Sequence, residues 1–160
     1  MLTDTASIDL LKRKLYSSNT GEVLYALKLL TRIDNKFLFK ALSSLLYHPV
    51  PQIRIEVLKK IEDFKLGSFD KLVQERIEAE ELPAIKDYAI RAYCALGEET
   101  VVDKVSQYLN HTDDQIRKGA IIGLIRYGGI PGMKRAGDEI MQLAISVKAS
   151  ERELAAEIIG

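Results

Sequence analysis

"QIRKGAIIGL" (residues 115–124) decides how this chain is read, because "QIRIEVLKKI" (residues 52–61) repeats its pattern earlier in the sequence. Looser copies occur in "AIKDYAIRAY" (84–93), "SERELAAEII" (150–159) and "GEVLYALKLLTRI" (21–33). Aligned, they set Ala26, Val57, Ala89, Ala120 and Ala155 in one column, at spacings of 31, 32, 31 and 35 residues. An amphipathic stretch and a short polar turn precede each copy: "SSNTG", "HPVP", "EELPA", "NHTDD" and "VKAS". The unit is therefore helix, tight turn, helix, with approximate bounds 5–34, 35–66, 67–97, 98–129 and 130–160. Two helices of a dozen residues cannot enclose a core alone, so a period of this length predicts stacked pairs within one repeat domain, 1–160.

The apolar periodicity is helical along the whole chain. Ile8, Leu11 and Leu15 form one stripe, Leu38, Leu42 and Leu45 a second, and Val101, Val105 and Tyr108 a third. No sustained alternation bounded by Asn-Gly or Asp-Gly suggests a hairpin. The expectation is an all-α fold of about ten helices, each of roughly 10 to 18 residues.

Composition narrows the function classes. Lys plus Arg and Asp plus Glu number 23 each, so no net field draws the chain onto nucleic acid or an anionic membrane. No apolar run is long enough to span a bilayer, so direct membrane insertion of this segment is not expected. The lone cysteine, Cys94, excludes an internal disulfide and suits a reducing, cytoplasmic setting.

The run "DDQIRKGAIIGLIRYG" (113–128) resembles the second helix of a HEAT repeat through Asp114, Ile116, Arg117, Ala120, Leu124 and Gly128. "LPAIKDYAIRAYCALG" resembles it through Ile85, Lys86, Ala89 and Leu96-Gly97, and "VPQIRIEVLKKI" through Ile53, Arg54 and Ile61. The first copy departs, with Glu22 and Val23 in place of Ile-Arg, as an atypical first repeat would. The resemblance covers almost the whole chain. It implies a right-handed α-α superhelix of about five helix pairs, with the second helices lining the inner face.

The only histidines, His48 and His111, open the matching stretches "HPVPQIR" and "HTDDQIR". A slot two repeats apart implies a separation near 20 Å, from helix packing distances of about 8–10 Å. One metal could not bridge that. Neither histidine is followed by glutamate, whereas HEAT-like hydroxylases bind iron through His-Glu pairs. Both therefore read as turn residues, with no catalytic, metal or cofactor-binding residue expected. "YGGIPG" reads as a helix stop and a proline-led restart, "EAEEL" as a solvated acidic run, and Cys94 as a small buried residue.

Two sets of side chains remain. Arg54, Lys86, Arg117 and Arg152 form a column whose expected role is pairing with turn acids or carbonyls. Lys28, Lys59 and Arg91 share another position, with Tyr25 and Tyr88 one turn earlier. On an inner face these five would make a basic stripe with two aromatics, the candidate binding surface. Glu56 and Asp63 interrupt it.

These features favour a non-catalytic interaction or scaffolding module that holds a protein or an adjacent domain of its own polypeptide. A HEAT-like enzyme subunit, such as a bilin lyase subunit, is the alternative, and no residue carries it. "SSNTGEVLYALKLLTRIDNKFLFKALSSLLYHPVPQIRIEVLKKI" (17–61) is similar to the HEAT segment of bacterial ATP/ADP translocase-like proteins. That similarity implies a cytosolic spacer or regulatory domain of a larger membrane-bound protein. The last copy, "ERELAAEIIG", ends at a column where Cys94 and Ile125 lie mid-helix. Continuation of the native polypeptide, and weak end-to-end pairing of this segment alone, are expected from that.

Overall fold

The computed structural model describes residues 4–33 and 35–160, in which every regular element is a helix and no strand occurs. The helices are α1 (Thr5–Lys14), α2 (Thr20–Ile33), α3 (Asn35–Leu45), α4 (Pro51–Asp63) and α5 (Asp70–Ala79). There follow α6 (Pro83–Gly97), α7 (Val102–Ser106), α8 (Asp114–Tyr127), α9 (Gly129–Ala144) and α10 (Ala149–Ile159), with 3-10 turns at Gly67–Phe69 and Glu98–Val101. The described chain divides into two compact units, one ending at Lys60 and the other Ile61–Gly160, so the division falls inside α4.

In the first unit α2 packs against α1 and α3. Leu15, Leu27, Leu30, Leu38, Leu42 and Leu46 are fully buried there, each contributing roughly 2 kcal/mol of transfer free energy. Asp4 caps α1 by accepting from the Ser7 amide at 2.7 Å, which satisfies one of the free amides at a helix start. Pro51 opens α4, where its missing N–H loses nothing.

In the second unit α6 packs on α5 and α8, and α8 and α10 pack on α9. Gly119 and Gly123 lie four residues apart on one face of α8 and let α6 approach closely. A methyl group at Gly119 would meet the Asp87 backbone carbonyl at 2.8 Å, and one at Gly123 would meet the Cys94 sulfur at 2.7 Å. The small-residue column is buried in both units: Ala26, Val57, Ala89, Ala120 and Ala155 are at most 2% exposed.

α7 departs from the expected length. It has 5 residues, because bonds of the i to i+3 kind flank it. The Tyr108 amide donates to Val105, and the Leu109 amide to Ser106. These tighten the segment into a 3-10 turn, a short α-helix and a further turn. The restart after "YGG" also has a specific geometry. Gly128 caps α9, and Gly129 takes the left-handed step at φ 57°, with the Glu99 carboxylate where a Cβ would project.

Candidate functional site

The two histidines do the same job. His48 Nδ1 accepts from the Val50 amide at 3.1 Å, and His111 Nδ1 from the Asp113 amide at 3.0 Å. The other three turns repeat the bond with different side chains. Ser17 Oγ accepts from Asn19, Glu80 Oε1 from Leu82 and Ser146 Oγ from Lys148, at 3.1, 3.2 and 3.2 Å. An acceptor side chain thus closes each turn onto the amide two residues ahead. Ser17, His48, Glu80, His111 and Ser146 keep the spacings 31, 32, 31 and 35 of the helix column.

The choice of acceptor correlates with a second position. A serine hydroxyl also has a proton to place, and each serine donates it to a glutamate five residues on. Ser17 bonds Glu22, and Ser146 bonds Glu151, both at 2.5 Å. Lys14 and Ser17 hold the Glu22 carboxyl below the usual range, and Ser146 and Lys148 do the same for Glu151. Where the acceptor is His or Glu, an isoleucine (Ile53, Ile85 or Ile116) occupies that fifth position. Glu22, the departure in the first copy, is therefore the partner its turn serine needs.

The Arg column is engaged at three of its four positions. Arg54 donates to the His48 and Pro49 carbonyls at 2.8 and 3.1 Å, and Arg152 to the Ser146 carbonyl at 2.7 Å. Arg117 pairs with Asp114 at 2.8 Å and lies 3.9 Å from Glu151. Lys86 is half-buried, with no ion pair among the described residues. Cys94 is fully buried, and burial pushes its thiol up to about 12, so no thiolate is accessible at neutral pH. Among the described residues no group of three or more His, Cys, Asp or Glu side chains could hold a metal ion.

The candidate stripe falls in two places. Tyr25, Lys28 and Lys59 belong to the first unit, and Tyr88 and Arg91 to the second. Tyr25 and Lys28 are exposed, and Lys59 bonds Glu56 at 2.8 Å. Lys28 also borders a groove of about 380 Å3 between α2 and α4, lined with Leu24, Leu27, Gln52, Glu56 and Lys60. Across the Tyr25 side of α2, Leu10, Leu11, Lys14 and Glu22 frame a smaller, mainly apolar hollow of about 180 Å3. The first unit therefore presents an aromatic, apolar and basic surface. In the second unit Arg91 is already used: it stacks 4.1 Å from the Tyr88 ring centre and lies 2.8 Å from Asp87.

Three acidic residues lie inside the fold where none was expected. Glu62, Glu80 and Asp87 are buried, all in the second unit. Glu62 accepts from the Tyr127 hydroxyl at 2.9 Å and from Arg126 at 3.4 Å. Burial and the Glu62 carboxylate together push the Tyr127 phenol up to about 12. Glu80, expected within a solvated acidic run, instead lies 3.5 Å from Arg76 with both side chains mostly covered. Its acidic neighbours Glu78 and Glu81 are exposed. Asp87, wedged against Gly119, has its carboxyl raised to about 6 by burial, with Arg91 and Lys118 opposing the shift. Each buried carboxylate has a cation or hydroxyl beside it, which is how a helical core tolerates charge.

No family model matches the chain, and no curated protein is similar enough to match. No described helix is long and apolar enough to cross a membrane.

Proposed function

We propose that this chain is a non-catalytic HEAT-like interaction module, a right-handed α-α superhelix of five helix pairs. The observation that carries the reading is the turn bond made five times, by Ser17, His48, Glu80, His111 and Ser146, in step with the buried column. Histidine, glutamate and serine, three residue types that often carry catalysis, are interchangeable there because the slot asks only for an acceptor. The thiol of Cys94 is buried and protonated, and Asp87 and Glu62 face cations inside the fold. Chemistry that elsewhere marks an active site is here committed to holding helices.

Partner binding is assigned to the first unit, where Tyr25 and Lys28 are exposed beside the α2–α4 groove. Leucine walls with Lys28 and Lys60 at the edge fit an amphipathic protein segment carrying apolar anchors and acidic side chains. Such a segment could belong to another protein or to an adjacent domain of the same polypeptide. A place in the cytosol as the spacer or regulatory domain of an ATP/ADP translocase-like membrane protein follows from the likeness of residues 17–61.

Fluorescence anisotropy tests the binding surface. A labelled amphipathic peptide of leucine and glutamate is expected to bind at least about ten-fold more tightly than its leucine–lysine counterpart. That preference is expected to vanish in the Lys28→Glu, Lys60→Glu variant. Equal binding of both peptides, or an unchanged preference in the variant, contradicts the assignment. The translocase context is tested by the native gene: a membrane-spanning region encoded beside this segment supports it, and none contradicts it.

A further inference from the structure

α9 carries an apolar face that the rest of the second unit does not cover. Ile130, Met133, Met141 and Ile145 are 82%, 56%, 69% and 82% exposed. With Gly137 between them, Ile130, Met133 and Met141 fall along one side of the helix at spacings of three and four residues, and Ile145, the residue that caps it, follows four residues on. Gly132, Ala136 and Leu143, on the opposite side, are the residues buried in the fold.

The column recurs in every first helix, but only in α9 is it apolar. Met141 stands five residues before its turn acceptor, where the other first helices have Lys12, Ser43, Glu75 and Ser106. Met133 stands where they have Asp4, Asn35, Gly67 and Glu98. The column is also one that receives a helix, since Ser106 accepts from Arg135 of α9 at 2.9 Å.

We propose that the α9 face docks a second copy of this chain, antiparallel, about a two-fold axis beside Gly137. The pattern is self-complementary. Met133 and Met141 are each four residues from Gly137, so the axis sets Met133 of one copy opposite Met141 of the other, and brings Ile130 to Ile145. Lys134 and Asp138, both exposed and in no ion pair among the described residues, border the same edge. Antiparallel pairing offsets Lys134 from the other copy's Asp138 by about 3 Å along the axis, from a rise of 1.5 Å per residue, and the two Asp138 residues from each other by the same amount, so two Lys–Asp approaches flank one Asp–Asp approach. An added Cβ at Gly137 meets nothing within 4 Å, so its side of the helix is open for close approach. The occupant is thus a helix with matching methionines and inverted charges, and α9 itself has that pattern.

At 16 residues the helix is about 24 Å long. A single helix–helix contact of that length falls short of the roughly 800 Å2 per partner of a standard interface. The dimer should accordingly be weak, assembling between about 10 and 500 μM. This inference is independent of the groove assigned above and fails separately from it.

Sedimentation equilibrium across that range, with a circular dichroism melt as control, tests it on the 160-residue chain. The wild type should move from monomer to dimer. Gly137→Arg should remain monomeric with an undiminished melting midpoint, because the position is open. Lys134→Glu should weaken association about ten-fold, and adding Asp138→Lys should restore it. A chain that stays monomeric at about 500 μM overturns the proposal and leaves the face to a different protein's helix. A dimer indifferent to Gly137→Arg overturns it too, by placing the contact elsewhere.

Discussion

Lys28 in the first unit and Arg91 in the second occupy the same register, two residues beyond the small buried column, yet their charges meet different fates. Lys28 is exposed, with no ion pair among the described residues, beside a groove walled by Leu24 and Leu27. Arg91 is stacked on Tyr88 and faces Asp87. The difference begins four residues earlier in each helix, where Leu24 stands in α2 and Asp87 in α6. A leucine covers the core and leaves the cation to solvent and partners, whereas a buried aspartate captures it. Periodicity fixes where a side chain points, and the neighbouring column decides whether its charge is still available.

The largest effect expected from that contrast is in the second unit. Ala120 is fully buried in α8, so Ala120→Arg combines overpacking with an unpaired charge and should destabilise by about 4 kcal/mol or more. A urea melt with an unchanged midpoint would refute the packing register. Gly119→Ala is milder, but its methyl group would press on backbone, which cannot rotate away, at 2.7 Å from the Asp87 Cα. A loss of about 2–3 kcal/mol is expected. A neutral result would mean that α6 and α8 are further apart than described.

Asp87 gives a pH signature with no counterpart among the described carboxyls of the first unit, where Asp4 and Glu22 are shifted the other way. Its carboxyl titrates near 6 in the fold, above its ordinary 3.8. The folded form therefore holds the proton more tightly than the unfolded one, and stability from this group is greatest below about pH 4 and falls as pH rises through 6. Relative to Asp87→Asn, the wild type should lose about 2 kcal/mol between pH 4 and pH 7. Parallel pH–stability curves for the two proteins would contradict a buried Asp87. The smallest effect is reserved for the first unit: Lys28→Ala should shift stability by less than about 0.5 kcal/mol, and a larger loss would show that its charge is structurally engaged after all.

Much of this architecture was open to sequence reasoning because helices write their buried face at a fixed period. Ala26, Val57, Ala89, Ala120 and Ala155 were legible as one column and are all buried. The histidine echo was legible as a turn, but its extension to Ser17, Glu80 and Ser146 was not, since serine and glutamate share with histidine only the ability to accept a hydrogen bond. The buried carboxylates were hidden for a different reason. Glu62 is held by Tyr127, 65 residues away, and a local pattern cannot show such a partner. The Gly119 and Gly123 pair is visible in the sequence as two glycines four apart, a spacing that signals close helix approach. The binding stripe is expected with interruptions at Glu56 and Asp63; Glu56 does hold Lys59, but Arg91 is taken by Asp87, on its own helix one turn earlier.

The claim that polar chemistry in this chain serves the turns is tested most directly by nitrogen NMR of the two histidines. If Nδ1 accepts an amide proton in both, each neutral imidazole must carry its proton on Nε2. Long-range 1H–15N correlation above pH 7.5 should show both His48 and His111 as Nε2–H tautomers with unprotonated Nδ1. Neither set of shifts should move when zinc is added. An Nδ1–H tautomer at either residue, or a shared response to zinc, would contradict the turn assignment and reopen the histidines as ligands or bases.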